Sequence, residues 1–384
     1  MAKMPALMTL LAFVAIACAS PDEVTPTDPL VPEVIEADEA DLTPQILLEP
    51  ARLSVDTYDG SGEMVHPDAL VFPHKWQGHR YWFAATPYPL GNSNFENPSA
   101  FAGDSATDWH ELPGAVNPLA RPVTNAYLSD PDLAYDREHD RIRLYYRQTT
   151  LEADQIFVRT SATGSDWSPP TLVIQDKRYA LISPAVVREA NGSWRLWAVN
   201  ATDGGCRAHA NALTLTQRRS PDGMSWGAPE PVALTIPGYV PWHWDVQYIS
   251  ARREYWALIA AYPDAGNCSL TSIYFARSAD GTQWNVSPFP LLERGSMPQL
   301  RDLVYRSTFR YFANSDAVRV WFSGARLEEG SFHYSLAVAR YPFAELLRRV
   351  SAPRAPGETL ALHQDDPRRA SLHAAREAFT RAFP

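Results

Sequence analysis

Runs of β-branched and aromatic residues recur along the chain, each bounded by Gly, Pro, Asn or Asp. They are YWFAATP around Trp82, RLYYRQT around Tyr145, WRLWAVN around Trp197, EYWALIA around Trp256 and VRVWFSG around Trp321. Such runs predict strands. A second set precedes them: HPDALVF, SDPDLAY, ISPAVVR, HWDVQYI and LRDLVYR. Four of the five units then carry a turn ending in tryptophan, DSATDW, ATGSDW, SPDGMSW and SADGTQW. Trp109, Trp167, Trp226 and Trp284 stand 58, 59 and 58 residues apart. Each unit therefore holds an inner strand, an aromatic second strand, a third strand and a turn leading to a fourth. Repetition of such units about an axis predicts an all-β, five-bladed β-propeller from about Val65 to Phe343. The fifth unit lacks its turn, so ring closure is expected to borrow a strand from around Ile46 to Val55. A pair of β-sandwiches would give no reason for the period.

The ends read differently. Lys3 precedes an apolar run from Pro5 to Ala17 that is too short to span a bilayer and ends in AIAC. This resembles a bacterial lipobox, which implies a signal peptide over 1–18, lipidation at Cys18 and export as an outer-membrane or cell-surface lipoprotein. Residues 19–44 are acidic and Pro-rich with almost no aromatic residue, the composition of a solvated, disordered tether. The propeller is assigned to 45–345, and 346–384 to a linker and a short C-terminal helix. Asp366 would cap that helix, Pro367 would open it, and Leu372, Ala375 and Phe379 would form its apolar stripe.

Composition supports a large core, with 45% hydrophobic residues among 384. Twelve Trp and seventeen Tyr exceed what packing demands, leaving aromatic faces for binding. The net charge of -10, with no Lys/Arg cluster, argues against a nucleic-acid partner. A carbohydrate partner and a monomer are expected. With Cys18 lipidated, Cys206 and Cys268 remain, and an even pair in an oxidising compartment predicts a disulfide. Both lie between second and third strands, in the third and fourth blades.

Inner strands of a propeller run beside its channel. Aligning the five places Asp68, Asp132, Ala185, Asp245 and Asp302 at one level. An Asp beside a channel is costly unless hydrated, paired or liganded, so this acidic ring points to function. Loops of the same face add Glu96, Arg147 and His209, and His66, Trp242, His243 and Arg301 stand beside ring positions. Carboxylates in an aromatic-walled funnel suit glycosidic cleavage, where one protonates the leaving oxygen and another activates water or attacks. Asp68, Asp132, Asp245 and Glu96 are the catalytic candidates, with Asp68 as base and Asp245 as acid. His66, Trp82, Tyr88, Arg147, His209, Trp242, His243, Arg301 and Asp302 are the substrate-binding candidates. Trp82, Tyr88 and Trp242 would stack on sugar rings. Each reading has a structural alternative: Asp130 and Asp132 flank Pro131, so one of them would cap local backbone, and Asp302 would pair with Arg301 or Arg306. No HxH or HExxH spacing supports a metal site, and no cofactor is expected, although the carboxylate density is compatible with Ca²⁺.

The SxDGxxW turns resemble the Asp-box turns of sialidase-like propellers, where Asp and Gly close the turn and Trp packs into the blade. With five blades and acidic inner strands, the chain resembles the five-bladed glycosidase superfamily of arabinanases, xylosidases, invertases and mannoside phosphorylases. The resemblance implies an Asp base at Asp68. It also implies an I-D-P aspartate on the third blade, where this chain has Ser183, and a fourth-blade Glu acid, where it has Asp245. Asp132 would take over the tuning role of the missing aspartate. The function so implied is a cell-surface glycoside hydrolase. The alternative is a non-catalytic, lipid-anchored propeller that binds polysaccharide or a protein.

Overall fold

The structure, a computed structural model, describes residues 50–351 apart from 203 and 211. The segments expected to form a signal peptide and a tether, with Cys18, and the helix expected over 366–383 lie outside the described residues.

Among the described residues, nineteen strands form five sheets around a central channel. Blade 1 contains β2 (Met64–Trp76), β3 (His79–Pro87) and β4 (Ser99–Gly103). Blade 2 contains β5 (Tyr127–Asp136), β6 (Arg141–Thr149), β7 (Ala153–Ser161) and β8 (Thr171–Lys177). Blade 3 contains β9 (Ile182–Arg188), β10 (Trp194–Asn200), β11 (Thr214–Ser220) and β12 (Glu230–Val232). Blade 4 contains β13 (Tyr239–Ile249), β14 (Glu254–Pro263), β15 (Ser272–Ser278) and β16 (Asn285–Val286). Blade 5 contains β17 (Leu303–Phe312), β18 (Ala317–Glu328) and β19 (Ser331–Pro342), and its outer strand is β1 (Ala51–Leu53), borrowed from the other end of the chain. The ring closes as expected. Blade 1 departs from the expected four strands, since its fourth is reduced to a bridge between Ala102 and His110.

The Trp turns fasten neighbouring blades. In Ser220–Trp226 the Asp222 carboxylate accepts the amides of Met224 and Ser225, and Ser220 Oγ accepts that of Gly223. The closed turn then offers its carbonyls to the preceding blade: Arg143 donates to Asp222 O and Tyr145 to Gly223 O. Likewise Arg195 and Trp197 donate to Asp280 O and Gly281 O, and Trp321 donates to Ala106 O. At blade 2 the fit is steric, because a Cβ on Gly164 would fall 2.0 Å from the Trp82 ring. The fifth blade has no such turn. Its place against Trp256 is taken by α1 (Phe343–Ser351), a helix in the stretch read as the end of the propeller and the start of the linker; the Phe343 ring stacks on Trp256 at 4.5 Å.

The Cys206–Cys268 disulfide is present, joining the second-to-third-strand loops of blades 3 and 4 with Cα atoms 5.1 Å apart.

Candidate active site

Three inner strands carry an X-Pro pair immediately before the ring position: His66-Pro67, Asp130-Pro131 and Ser183-Pro184. Proline has no N–H for the ladder, and pairing register slips at each of these places. His66, Asp130 and Ser183 take φ of 55°, 53° and 53°, a left-handed conformation that non-glycine residues rarely adopt. Bulges of this kind re-aim side chains. Similar slips on β13 and β17 bring His243 and Arg306 to the same level. The channel therefore carries two storeys. The upper is His66, Asp130, Ser183, His243 and Arg306. Two residues further along each strand, the lower is Asp68, Asp132, Ala185, Asp245 and Thr308.

The upper storey adjoins a cavity of about 480 Å³ on the face where inner strands begin. His66, Glu96, Tyr127, Arg147, Tyr179, Trp242, His243 and Tyr305 line it, with Cys206 and Cys268 in its rim. Asp130, fully buried, is the hub: its Oδ1 lies 3.6 Å from His66 Nε2, 3.3 Å from His243 Nδ1 and 3.2 Å from Arg306 Nη1. Its Oδ2 lies 3.1 Å from Arg147 Nε and accepts the Ser129 hydroxyl at 3.0 Å. Burial alone would raise the pKa of Asp130; Arg147, then the two histidines, reverse this and hold it well below the usual carboxylate range. Burial lowers the pKa of both His66 and His243, and Asp130 opposes it in each. Glu96 Oε1 sits 3.1 Å from His66 Nδ1. Burial, reinforced by the charge of Asp130, pushes the Glu96 carboxyl well above its ordinary value.

His66, Asp130 and His243 could hold a metal ion, since one ligand atom from each lies within 4.8 Å of the others. Two neutral imidazoles and a carboxylate are a donor set for a divalent transition metal. The fit is supported by unmet polar atoms: His66 Nε2 and His243 Nε2 are buried without a hydrogen-bond partner among the described residues. A buried polar group left so is costly unless something else satisfies it.

The lower storey is built differently. Asp68 Oδ2 accepts the Leu133 amide at 2.6 Å, Asp132 Oδ2 that of Val186 at 3.1 Å, and Asp245 Oδ2 that of Phe309 at 3.3 Å. Each carboxylate thus grips the next blade's inner strand, one residue past the ring position. Burial and the charge of Asp68 raise Asp245 to about 6. Burial, then Asp68 and Asp245, raise Asp132 well above its ordinary value. None of the three aspartates, the catalytic candidates Asp68, Asp132 and Asp245, lines the cavity. They stitch blades together beneath its floor.

Of the other predicted residues, His66, Glu96, Arg147, Trp242 and His243 are brought together at the cavity. Trp82 is not, being sealed under the blade 2 turn at 1% exposure. Tyr88 lies in the core with its ring edge on Tyr334. His209 is exposed and pairs with Asp264 at 3.5 Å. Asp302 is not a ring residue: it accepts the Leu327 amide and pairs with Arg301, whose side chain is exposed. The fifth ring position is Thr308, opposite Trp321 as Ala185 is opposite Trp197. Ser183, standing where the resemblance implies an aspartate, exchanges hydrogen bonds with the Trp244 backbone. Sequence reasoning missed Asp130, Tyr127, Tyr179, Tyr305 and Arg306. For Asp130 the available signal was its place two residues before the aligned Asp132, as His66 and His243 stand before Asp68 and Asp245.

No protein-family model matches the chain. It is 28% identical over 324 residues to the A type blood N-acetyl-α-D-galactosamine deacetylase of Flavonifractor plautii, across 70% of this chain. The chain spans about two fifths (41%) of that relative's length. The crystal structure of an N-acetylgalactosamine deacetylase from F. plautii, in complex with blood group B trisaccharide, superposes with a TM-score of 0.73 at 25% identity, over 79% of this chain and 98% of that one. A family-43 glycoside hydrolase from Xanthomonas citri, complexed with xylotriose, superposes with a TM-score of 0.51 at 13% identity, over 77% and 90%. The chain thus shares its five-bladed propeller fold with glycoside hydrolases, as the resemblance implied.

Proposed function

We propose that the funnel hydrolyses the acetamido group of an N-acetylated amino sugar. The observation that carries this reading is the buried His66–Asp130–His243 cluster, with its unsatisfied ring nitrogens, opening onto the cavity. The similarity to a deacetylase of F. plautii supports it.

A divalent cation held by His66, Asp130 and His243 would supply Lewis-acid polarisation and a water activated near neutral pH. The protein's own residues do the rest. The water oxygen adds to the amide carbonyl carbon, the C–N bond breaks, and acetate and a free amine leave. Glu96 lines the cavity with a raised pKa, which suits a group that takes the water's proton and returns one to the departing nitrogen. Arg147 holds the Asp130 carboxyl ionised, and Arg306 pairs with it. Tyr127, Tyr179 and Trp242 offer faces to the sugar ring.

Glycosidic cleavage by the lower aspartates is less well supported. Their carboxylate oxygens come within 4.8 Å of one another, closer than the ~5–5.5 Å of a retaining pair. Thr308 Oγ1 already fills the gap between two of them. If Cys18 is lipidated, the activity belongs at the cell surface, and membrane fractionation of Cys18→Ser tests that part.

The reaction is tested by acetate release from N-acetylgalactosamine and N-acetylglucosamine glycosides before chelation, after it, and after Zn²⁺, Mn²⁺ or Co²⁺ is restored. Release that chelation abolishes and a metal restores supports the reading; release indifferent to chelation removes the metal from it.

A further inference from the structure

Arg147 stands on β6 opposite Ser129, directly beside the bulge that presents Asp130. Its side chain is only 6% exposed, yet the residue lines the cavity. The guanidinium is pinned from several sides. Nε donates to Ser129 Oγ at 3.0 Å and faces Asp130 Oδ2 at 3.1 Å. The Asp154 carboxylate flanks Nη1 at 3.5 Å, and the Tyr127 ring lies under the group at 5.9 Å. Asp154 is itself fixed, accepting the Thr149 hydroxyl and the Leu181 amide. So placed, Nη1 is buried and makes no hydrogen bond. Arg207, the other arginine in the lining, is exposed. Arg306 contacts Asp130 as well but does not line the cavity.

A rigid, charged donor with hydrogen-bonding capacity left over, next to the hub of a hydrolytic centre, is the arrangement that stabilises negative charge developing on an oxygen. We propose that the Arg147 guanidinium, where it lines the cavity, receives the acyl oxygen of the substrate and, after cleavage, a carboxylate oxygen of acetate. This rests on the deacetylation reading for the identity of the acyl group, but the anion-anchoring role can be tested without turnover. Asp154 is a positioning residue in this account: it holds the guanidinium and touches no substrate.

The experiment compares wild type, Arg147→Met and Arg147→Lys, each loaded with metal. Metal content, acetate affinity by calorimetry, and kcat and KM for acetate release are measured on all three. Arg147→Met is expected to keep its metal, to bind acetate at least about 10-fold more weakly, and to lose about 10²–10³ in kcat with a smaller change in KM. Arg147→Lys should recover part of the acetate affinity. Wild-type acetate affinity in Arg147→Met, or no acetate binding by the wild type, overturns the proposal. Loss of metal together with acetate also overturns it, because Arg147 would then act only by holding Asp130. The two readings fail separately. Arg147-dependent acetate binding without acetate release refutes deacetylation and leaves the anchor. Acetate release with Arg147-independent acetate binding does the reverse.

Discussion

Thr308 Oγ1 donates to Asp68 Oδ1 at 2.8 Å, and on its other side Asp245 Oδ2 lies 2.9 Å away. One hydroxyl hydrogen cannot serve two carboxylates, so the second contact needs a proton on the carboxyl. Asp245, raised to about 6, is the group placed to carry it. The lower ring is therefore a hydrogen-bonded unit that joins blades 1, 4 and 5.

Replacing that hydroxyl by a methyl group separates structure from chemistry. Thr308→Val is expected to destabilise the fold by about 1–3 kcal/mol, because it strips the donor from the buried Asp68 carboxylate and the partner from the buried Asp245 carboxyl. Acetate release per folded molecule should be unchanged, since the lower ring does not line the cavity. Urea denaturation and initial rates on the same preparation check both halves. Lost activity at unchanged stability would return the lower aspartates to the reaction.

The fold was legible because a propeller repeats its local chemistry: the Trp turns and aromatic second strands recur at one spacing, and each marks a blade. The site was legible only in part. Strand alternation reveals that Asp68, Asp132 and Asp245 point inward, but not at which depth the channel closes. That depth is set by bulges at His66, Asp130 and Ser183, whose X-Pro pairs were visible without their geometry. In the fifth blade neither an X-Pro pair nor a Trp turn marks the register, so Asp302 was aligned where Thr308 belongs. Trp82 illustrates a different limit. An aromatic in a second strand serves equally to receive a turn or to face a ligand, and only the docking of Gly164 decides between them.

Asp136 gives a pH-dependent test of how blades are fastened. Its Oδ2 lies 2.6 Å from Arg143 Nη2, 3.2 Å from Arg141 Nε and 2.9 Å from His139 Nδ1. Burial alone would raise its pKa, but the bond from Arg143, then Arg141 and His139, hold it below the ordinary value. A carboxylate depressed in the folded state adds stability above its unfolded value of about 3.9, and loses it as pH falls through the folded value. Asp136→Asn should therefore cost about 3 kcal/mol at pH 7, the low end for a buried pair because Arg141 and His139 reach water. The gap to wild type should narrow below pH 4. Thermal melts from pH 3 to 8 measure it, and a gap constant with pH would show that the ionisation of Asp136 is not what stabilises this contact.

The disulfide closes a sequence separation of 62 residues and forms part of the cavity rim. The double variant Cys206→Ser, Cys268→Ser is expected to lose about 2–4 kcal/mol of stability. Because the loops it joins wall the cavity, KM should rise more than kcat falls. Denaturant midpoints with and without reductant, with steady-state kinetics, test this. A variant with unchanged midpoint and KM would show that the rim is held by its other contacts.

The most direct test of the account is mass spectrometry of an N-acetylgalactosamine glycoside incubated with the metal-loaded protein and with its Asp130→Asn variant. The wild type should yield a product that has lost one acetyl group and kept its glycosidic bond, and the variant should yield none at the same protein concentration. A wild-type product that has lost its aglycone while keeping the acetyl group, or equal turnover by the variant, would contradict it.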